Sequence, residues 1–349
     1  MGPIDFAKFT SVKNEYVSSF DLPKLSGQLS ALRHNFGAYK NFIDLLDNER
    51  KLELLITADS TQLQSLKIQF DLCEPQFEYA DCPQPVTANG KTKDCGSCAT
   101  CLDNAKQRDF HTKVMTILNY ENKGKENLRK VYPKIGMKAC YVCNAQYTIT
   151  VEPEPTVLTA SSQQARHKAK FQFDHYFPKA KYPALSISLF NLFPICSSCN
   201  TIKGDRDMGI DYLSVDQKKW NGKFSFSILE STLTYFLLDQ DPIEIDFTDD
   251  YDYDPANSLK LSDRFDIKGI YNTQIDVIEE LIIRKLKYSE TYKNKLSESF
   301  PQLFEKIKIE ERIELGTYSA KDGIHKRPMS KFIQDIDQQL DEYFSRIIL

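Results

Sequence analysis

The sequence predicts an α+β fold, in which a small cysteine-stapled unit of short strands is embedded in a mainly α-helical chain. Two observations lead to this fold class. Apolar residues recur at helical spacing near both ends, as in "YKNFIDLLDNERKLELL" and in the stripe Ile333, Ile336, Leu340, Tyr343 and Ile347. Between residues 139 and 207 the pattern changes to strand-like runs beside paired cysteines. We therefore expect three regions, 1–135, 136–207 and 208–349, with a cysteine-rich loop at 73–101 in the first.

The composition is typical of a globular protein. Of the 349 residues, 41% are hydrophobic and 27% are charged. No apolar run reaches the roughly 18 residues that a membrane-spanning helix needs. The N-terminus also lacks a basic segment followed by an apolar one, which a secretory signal would have. These features predict a cytoplasmic protein without a membrane partner.

Each remaining element is predicted from its local pattern. Residues 103–132 read as helix with Asp103 as its N-cap, and "SSCNTIKGDRD" reads as a short helix ending near Gly204. "YTITVEPEP" and "KFQFDHYFP" predict strands, with a turn-rich insertion at 152–167 between them. "KFSFSILESTLTYFLL" looks strand-like, and a later helix carries Ile275, Ile278, Ile282 and Leu286 on one face. The mixed region 208–349 therefore ends in helices.

Charge is unevenly distributed along the chain. The net charge is −4, yet residues 121–140 hold six basic and two acidic side chains, and residues 163–206 hold seven and two. A basic middle within an acidic whole predicts contact with phosphate at one place. The nucleic-acid contacts expected there are Lys179, Lys181, Lys203 and Arg206. The run 239–254 carries eight acids, which predicts a surface loop or, alternatively, a phosphate mimic that shields the basic site.

Four cysteines form two matched pairs around the strand-like segments. Cys140 and Cys143 make one C-x-x-C pair, and Cys196 and Cys199 make the other. Two such pairs can close a tetrahedral thiolate site on Zn²⁺, which predicts a structural zinc ion. Because many residues separate the pairs, a folded segment must lie between them.

A second cysteine group precedes the first. We expect Cys82, Cys95, Cys98 and Cys101 to bind a second structural zinc ion that fixes an irregular loop. Two alternatives remain open. Cys73 could replace one of the four, or the C-x-x-C-x-x-C spacing could hold an iron–sulfur cluster.

The segment that carries the Cys140/Cys143 and Cys196/Cys199 pairs resembles the HNH, or ββα-metal, endonucleases. The matching stretches are "FDHYFPK" and "NLFPICSSCNTIKGD", within residues 136–207. The resemblance implies a ββα-metal module with zinc knuckles embedded in the mainly helical chain. It implies that His175 is the general base, that Asp174 and Asn200 bind a catalytic Mg²⁺ or Mn²⁺, and that Asn191 holds the loop carrying His175. Lys203 is expected to meet phosphate.

Elementary chemistry agrees with those roles. Phosphodiester hydrolysis needs an activated water and a cation at the scissile phosphate. Histidine can accept a proton at neutral pH, and carboxylate and amide oxygens suit Mg²⁺. The form "FDHYFPK…KYP" is similar to HNH effectors of bacterial anti-phage systems, including the Septu-type nucleases, which implies a DNA substrate and an ATPase partner protein. The alternatives are a non-catalytic zinc-stapled module that binds nucleic acid or protein, and a stand-alone restriction-type nuclease.

Overall fold

The computed structural model describes residues 1–88, 91–151, 168–253, 260–288, 290–302, 312 and 315–347. Over these ranges the fold is α+β, as predicted, and helices predominate. The helices are α1 (Phe6–Val17), α2 (Leu22–Ala31), α3 (Lys40–Asp44), α4 (Glu49–Thr57), α5 (Ser60–Asp71), α6 (Ala99–Leu118), α7 (Lys125–Ile135), α8 (Ser197–Lys203), α9 (Glu230–Asp239), α10 (Leu261–Phe265), α11 (Ile267–Asn272), α12 (Ile275–Lys287), α13 (Glu290–Ser299) and α14 (Ser330–Ile347).

The strands form four antiparallel pairs in the described ranges. They are β1 (Val86–Ala88) with β2 (Lys91–Lys93), β3 (Thr150–Val151) with β4 (Lys168–Ala169), β5 (Gln172–His175) with β6 (Leu192–Ile195), and β7 (Phe224–Ile228) with β8 (Ile245–Asp249). The loop predicted to be irregular at 73–101 therefore contains a short hairpin. The turn-rich insertion at 152–167 lies outside the described residues.

Short acidic and amide side chains set where the N-terminal helices begin. Asp5, Asp21, Asn48 and Asp59 each precede a helix and accept a hydrogen bond from a backbone N–H of its first turn. Such caps satisfy N–H groups that have no partner within the helix. They also divide the predicted helical stretch 39–55 into α3 and α4.

The helix predicted over 103–132 differs in two respects. α6 begins at Ala99, because the Cys98 side chain rather than Asp103 caps it, accepting from the Cys101 N–H. The helix then stops at Asn119, whose φ of 49° is left-handed, and a π-helical turn over Tyr120–Gly124 leads into α7. The single helix predicted from the sequence is therefore two helices, α6 and α7, separated by this turn.

The central hairpin is short and buried. In the β5–β6 pair, Asp174 lies opposite Phe193 and His175 lies opposite Leu192. The connection between the strands contains two 3₁₀ turns, Pro183–Ile187 and Leu189–Asn191, whose residues are all buried. Helix α8 follows β6 directly and ends at Gly204, as the sequence predicted.

The C-terminal region corrects two predictions. Only the first part of the strand-like run is a strand, β7, and the rest is helix α9, so β-branched residues there did not indicate a strand. The acidic run 239–254 is not simply a surface loop, since Ile245–Asp249 forms β8. Asp249 is buried and accepts from Tyr253 and Ser262, which leaves it unavailable as a phosphate mimic.

Helix α14 covers the free edge of β7. The Asp335 carboxylate accepts from the Phe226 N–H at 3.0 Å, and Gln339 bonds both the N–H and the carbonyl of Ile228, at 2.7 and 2.8 Å. Covering an edge strand in this way satisfies its backbone groups. The predicted apolar stripe of this helix is buried at Ile336 and Leu340, whereas Leu286 of the α12 stripe is exposed.

A continuous apolar core joins the N-terminal helices to the central hairpin. Phe9 of α1 packs against Phe190 and Phe193, with ring centroids 5.4 and 5.9 Å apart, and against Tyr132 of α7 at 6.4 Å. The hairpin is therefore held by helices from outside its own segment. No described helix is long and apolar enough to cross a membrane.

Candidate active site and zinc centres

The first cysteine group forms a buried four-sulfur cluster. The Sγ atoms of Cys140, Cys143, Cys196 and Cys199 all lie within 4.8 Å of one another. The Cys143 and Cys196 sulfurs are 4.0 Å apart, close to the edge of about 3.8 Å expected for a tetrahedron with Zn–S bonds of about 2.3 Å. The group can hold a zinc ion. It would join the loop before the hairpin to the start of α8.

The loop that supplies the first pair is held by the C-terminal region. Asn144 adopts a left-handed φ of 55°, and its side chain donates to the Ile324 carbonyl and accepts from the Lys331 N–H. The Tyr271 hydroxyl donates to the Cys143 carbonyl at 2.9 Å. The cysteine positions are therefore fixed by packing from three segments.

The second cysteine group has the same spacing in a more exposed place. Cys82, Cys95, Cys98 and Cys101 also lie within 4.8 Å of one another, with sulfur pairs at 3.9 and 3.8 Å. A single tetrahedral ion matches this spacing, whereas a cluster of several irons would spread its ligands more widely. Cys73 lies outside the group, with its thiol 3.2 Å from the Gln69 carbonyl oxygen.

Asp174 lies in a buried ion pair next to the first cysteine group. Its Oδ1 is 3.0 Å from Lys203 Nζ, and the two side chains are only 5% and 1% exposed. Its Oδ2 accepts a hydrogen bond from Tyr141, which stands between Cys140 and Cys143. Burial raises the pKa of Asp174, although Lys203 and Tyr141 oppose the shift. The carboxylate predicted to bind a metal therefore already has two partners.

Lys203 occupies a different position from the one expected of a phosphate-binding residue. Its Nζ also donates to the His175 carbonyl at 3.3 Å, so the ammonium bridges the end of β5 and the last turn of α8. Among the other predicted nucleic-acid contacts, Lys179 pairs with Glu121 and Lys181 pairs with Glu78. Arg206 is exposed just beyond α8.

His175 is buried with one ring nitrogen fixed. Nε2 lies 3.1 Å from the Ser186 carbonyl oxygen, which can only accept, so Nε2 carries the proton of the neutral ring. Nδ1 is then the nitrogen that can accept a proton. Burial, assisted by Lys179, lowers the pKa of His175 to about 3, which keeps the ring neutral at pH 7.

Asn191 fixes the loop that follows His175. Its Oδ1 accepts from the Phe177 N–H at 2.7 Å, and its Nδ2 donates to the carbonyls of Phe177 and Leu185 at 3.2 and 3.0 Å. Asn191→Ala should lose roughly 3 kcal/mol of stability, because each of three buried hydrogen bonds contributes about 1 kcal/mol. Urea unfolding measures the loss. Asn122→Ala, which removes an exposed amide, should cost far less, and equal losses would contradict this role.

Asn200 stands on α8 one residue after Cys199. Its amide nitrogen donates to the Gln172 side chain on β5, and its amide oxygen accepts no hydrogen bond from any residue that the structure describes. The amide oxygen is therefore the atom of this side chain that remains available to bind a metal ion. The zinc ligand beside it sets its place on the helix.

Asp174, His175 and Asn200 line one cavity of about 400 Å³. Its wall also includes the basic side chains Lys125, Arg129, Lys179 and Lys203. Sequence reasoning did not identify Tyr120, Lys125, Arg129 or Tyr141 as parts of this site. The only signal was the excess of basic residues at 121–140, which could not show which of them face the hairpin.

A scan against protein-family models, a search of curated proteins and a search of solved structures each found no match to this chain.

Proposed function

We propose that this chain is a metal-dependent endonuclease of the HNH, or ββα-metal, type that hydrolyses phosphodiester bonds in DNA. The observation that carries the proposal is the convergence of Asp174, His175 and Asn200 on one cavity whose charged groups are mostly basic. The carboxylate and the amide oxygen suit a hard divalent cation, and the neutral imidazole can accept a proton from water. The β5–β6 hairpin followed by α8 supports the same reading.

The oxygen donors suit a hard divalent cation. Asp174 and the unpartnered amide oxygen of Asn200 would hold Mg²⁺ or Mn²⁺, which supplies charge stabilisation at the scissile phosphate when bound. Lys203 competes for Asp174, since its ammonium already neutralises that carboxylate. The residues fit the cation, provided that Lys203 shares the Asp174 oxygen with it or moves away from that oxygen.

His175 would take a proton from water through Nδ1. A base with a pKa near 3 is weak, but a phosphodiester anion in the cavity places a negative charge beside the ring. Nearby negative charge favours the protonated form and raises the pKa of histidine. Substrate binding would therefore strengthen the base, while Ser186 and Asn191 hold the ring and its loop in place.

Plasmid cleavage tests the proposal. With Mg²⁺ or Mn²⁺, the protein should nick or cut supercoiled DNA, and His175→Ala should lower the rate about 100-fold or more, as expected when a general base is lost. His34→Ala, at an exposed histidine outside the site, is the matched control and should leave the rate unchanged. Gel electrophoresis of timed reactions gives the rates.

The resemblance to anti-phage effectors also implies an ATPase partner, so a parallel reaction should contain any ATPase that a neighbouring gene is found to encode. If the wild-type protein and His175→Ala are equally inert with metal and partner present, the enzyme proposal fails.

A second candidate is a binding module without catalysis. It is favoured by the Asp174 carboxylate, which is already bonded to Lys203 and Tyr141. DNA binding without cleavage in the same reactions would support that candidate. Cut ends that share a sequence would indicate a restriction-type nuclease.

A further inference from the structure

One wall of the cavity comes from outside the hairpin and α8. Tyr120 lies in the π-helical turn and Arg129 lies on α7, and both line the cavity with Asp174 and His175. The Tyr120 ring packs edge-on against the His175 ring, with centroids 4.5 Å apart. A group bound between Tyr120 and Arg129 would therefore lie beside the histidine.

Both side chains have a buried polar atom without a partner. The Tyr120 hydroxyl and the Arg129 Nε make no hydrogen bond with the part of the chain that the structure describes, and Tyr120 is only 1% exposed. Buried polar groups in folded proteins are nearly always hydrogen-bonded. Both residues also line one cavity, so a group bound there is a candidate partner for these two atoms.

Arg129 also differs from the other basic residues of the cavity in its charge balance. Lys125 and Lys179 both pair with Glu121, and their hydrogen bonds hold the pKa of that carboxyl at about 2 although burial raises it. Lys203 pairs with Asp174. Arg129 has no ion pair with any described residue, so its charge is left for a ligand.

The Tyr120 hydroxyl and the Arg129 guanidinium favour a ligand with several hydrogen-bond acceptors. Burial raises the pKa of Tyr120 well above its usual value, so the phenol keeps its proton and donates. The guanidinium only donates, and its fork matches two oxygens of one phosphate. A phosphate group offers acceptors and a negative charge together, which an uncharged ligand does not.

We propose that Tyr120 and Arg129 form an anion-binding wall that receives a phosphate group of the nucleic acid. The inference rests on the proposed function for the identity of the ligand, but it assigns binding to the helical region rather than to the hairpin. Phosphate bound there would lie against His175, with the Asp174 carboxylate in the same cavity.

The anion-binding wall can be tested by measuring DNA binding under conditions in which no cleavage occurs. We would measure the anisotropy of a fluorescein-labelled 20-base-pair DNA duplex with full-length His175→Ala, without divalent cation, over a range of salt concentrations. Arg129→Gln in that background should weaken binding about 10-fold or more and reduce the salt slope by about 0.9, the value for one phosphate contact. Arg129→Lys should restore the slope but only part of the affinity, because lysine keeps the charge and loses the fork.

Two further variants separate binding from folding. Tyr120→Phe removes only the hydroxyl and should weaken binding a few-fold without changing the salt slope. Lys130→Gln is the matched control, since Lys130 is an exposed neighbour on α7 that pairs with Glu126 at 3.5 Å, and it should change neither quantity. Thermal unfolding of each variant shows that it is folded.

The inference is overturned if Arg129→Gln binds the duplex with the affinity and slope of its parent, or if the parent has no measurable affinity. These outcomes differ from failure of the proposed function. Loss of binding in Arg129→Gln together with an inert wild-type protein would retain the wall and reject the nuclease. Cleavage by the wild-type protein with unchanged binding by Arg129→Gln would retain the nuclease and reject the wall.

Discussion

Cys199→Ser is expected to unfold the centre of the molecule, whereas Cys98→Ser should loosen only the hairpin β1–β2 and the start of α6. The first four-cysteine cluster is buried and joins α8 to the loop before the β5–β6 hairpin. Structural zinc sites contribute about 10–16 kcal/mol of apparent binding energy, which is comparable to the total stability of about 5–15 kcal/mol of a folded protein. Losing this ion would therefore remove most or all of the stability.

The second cluster, which is less deeply buried than the first, should behave differently. It lies at the N-terminus of α6, where Cys98 caps the helix and the Cys98 and Cys101 N–H groups donate to the preceding sulfurs at 3.3 and 3.4 Å. The pKa of the Cys95 thiol is lowered to about 6, first by hydrogen bonding from the backbone at Ser97 and then at Cys98. Such a thiol is readily deprotonated for metal binding. Few residues of the apolar core, however, depend on the second cluster for their position.

Thermal unfolding and elemental analysis together check these expectations. The wild-type protein should contain two zinc ions per chain, and each serine variant should contain one. Cys73→Ser is the matched control, because Cys73 is buried but belongs to neither cluster, and it should keep both ions. A Cys199→Ser protein that retains two ions and unfolds at the wild-type temperature would contradict the assignment of the first cluster. Iron with visible absorbance would instead indicate an iron–sulfur centre.

Local spacing explains what could be predicted from the sequence. Both cysteine clusters are built from short C-x-x-C repeats, whose ligand geometry is set within a few residues, and both sets of four come together as predicted. The end of α8 at Gly204 follows from a similarly local signal, a glycine after a helical run. These features depend little on the rest of the fold.

The unpredicted features depend on contacts between distant segments. Lys203 looks like an exposed basic residue near a helix end, and only the packing of α8 against β5 shows that its ammonium is buried against Asp174. Tyr120 reaches the site because α6 stops at a left-handed asparagine, which local propensity does not signal strongly. Arg129 enters the cavity from α7, more than forty residues before His175 in the chain.

Lys203→Met is expected to cost about 3–5 kcal/mol, because it leaves the Asp174 carboxylate buried without its countercharge. The loss should depend on pH. The pKa of Asp174 is already raised by burial and would rise further without Lys203, so the folded variant would bind a proton that the unfolded chain has released. The stability deficit should therefore grow as the pH rises from 5 to 8, as measured by urea unfolding at each pH.

The double variant Asp174→Asn with Lys203→Met isolates the pair. It removes both charges, keeps an oxygen for the Tyr141 hydroxyl, and should recover most of the lost stability while abolishing its pH dependence. Lys219→Met is the control, since Lys219 forms an exposed pair with Asp211 at 2.9 Å and should cost less than about 1 kcal/mol. If Lys203→Met cost no more than this control, the buried pair would not stabilise the fold. Lys203 would then be able to yield Asp174 to a divalent cation at little cost in stability, as the proposed function requires.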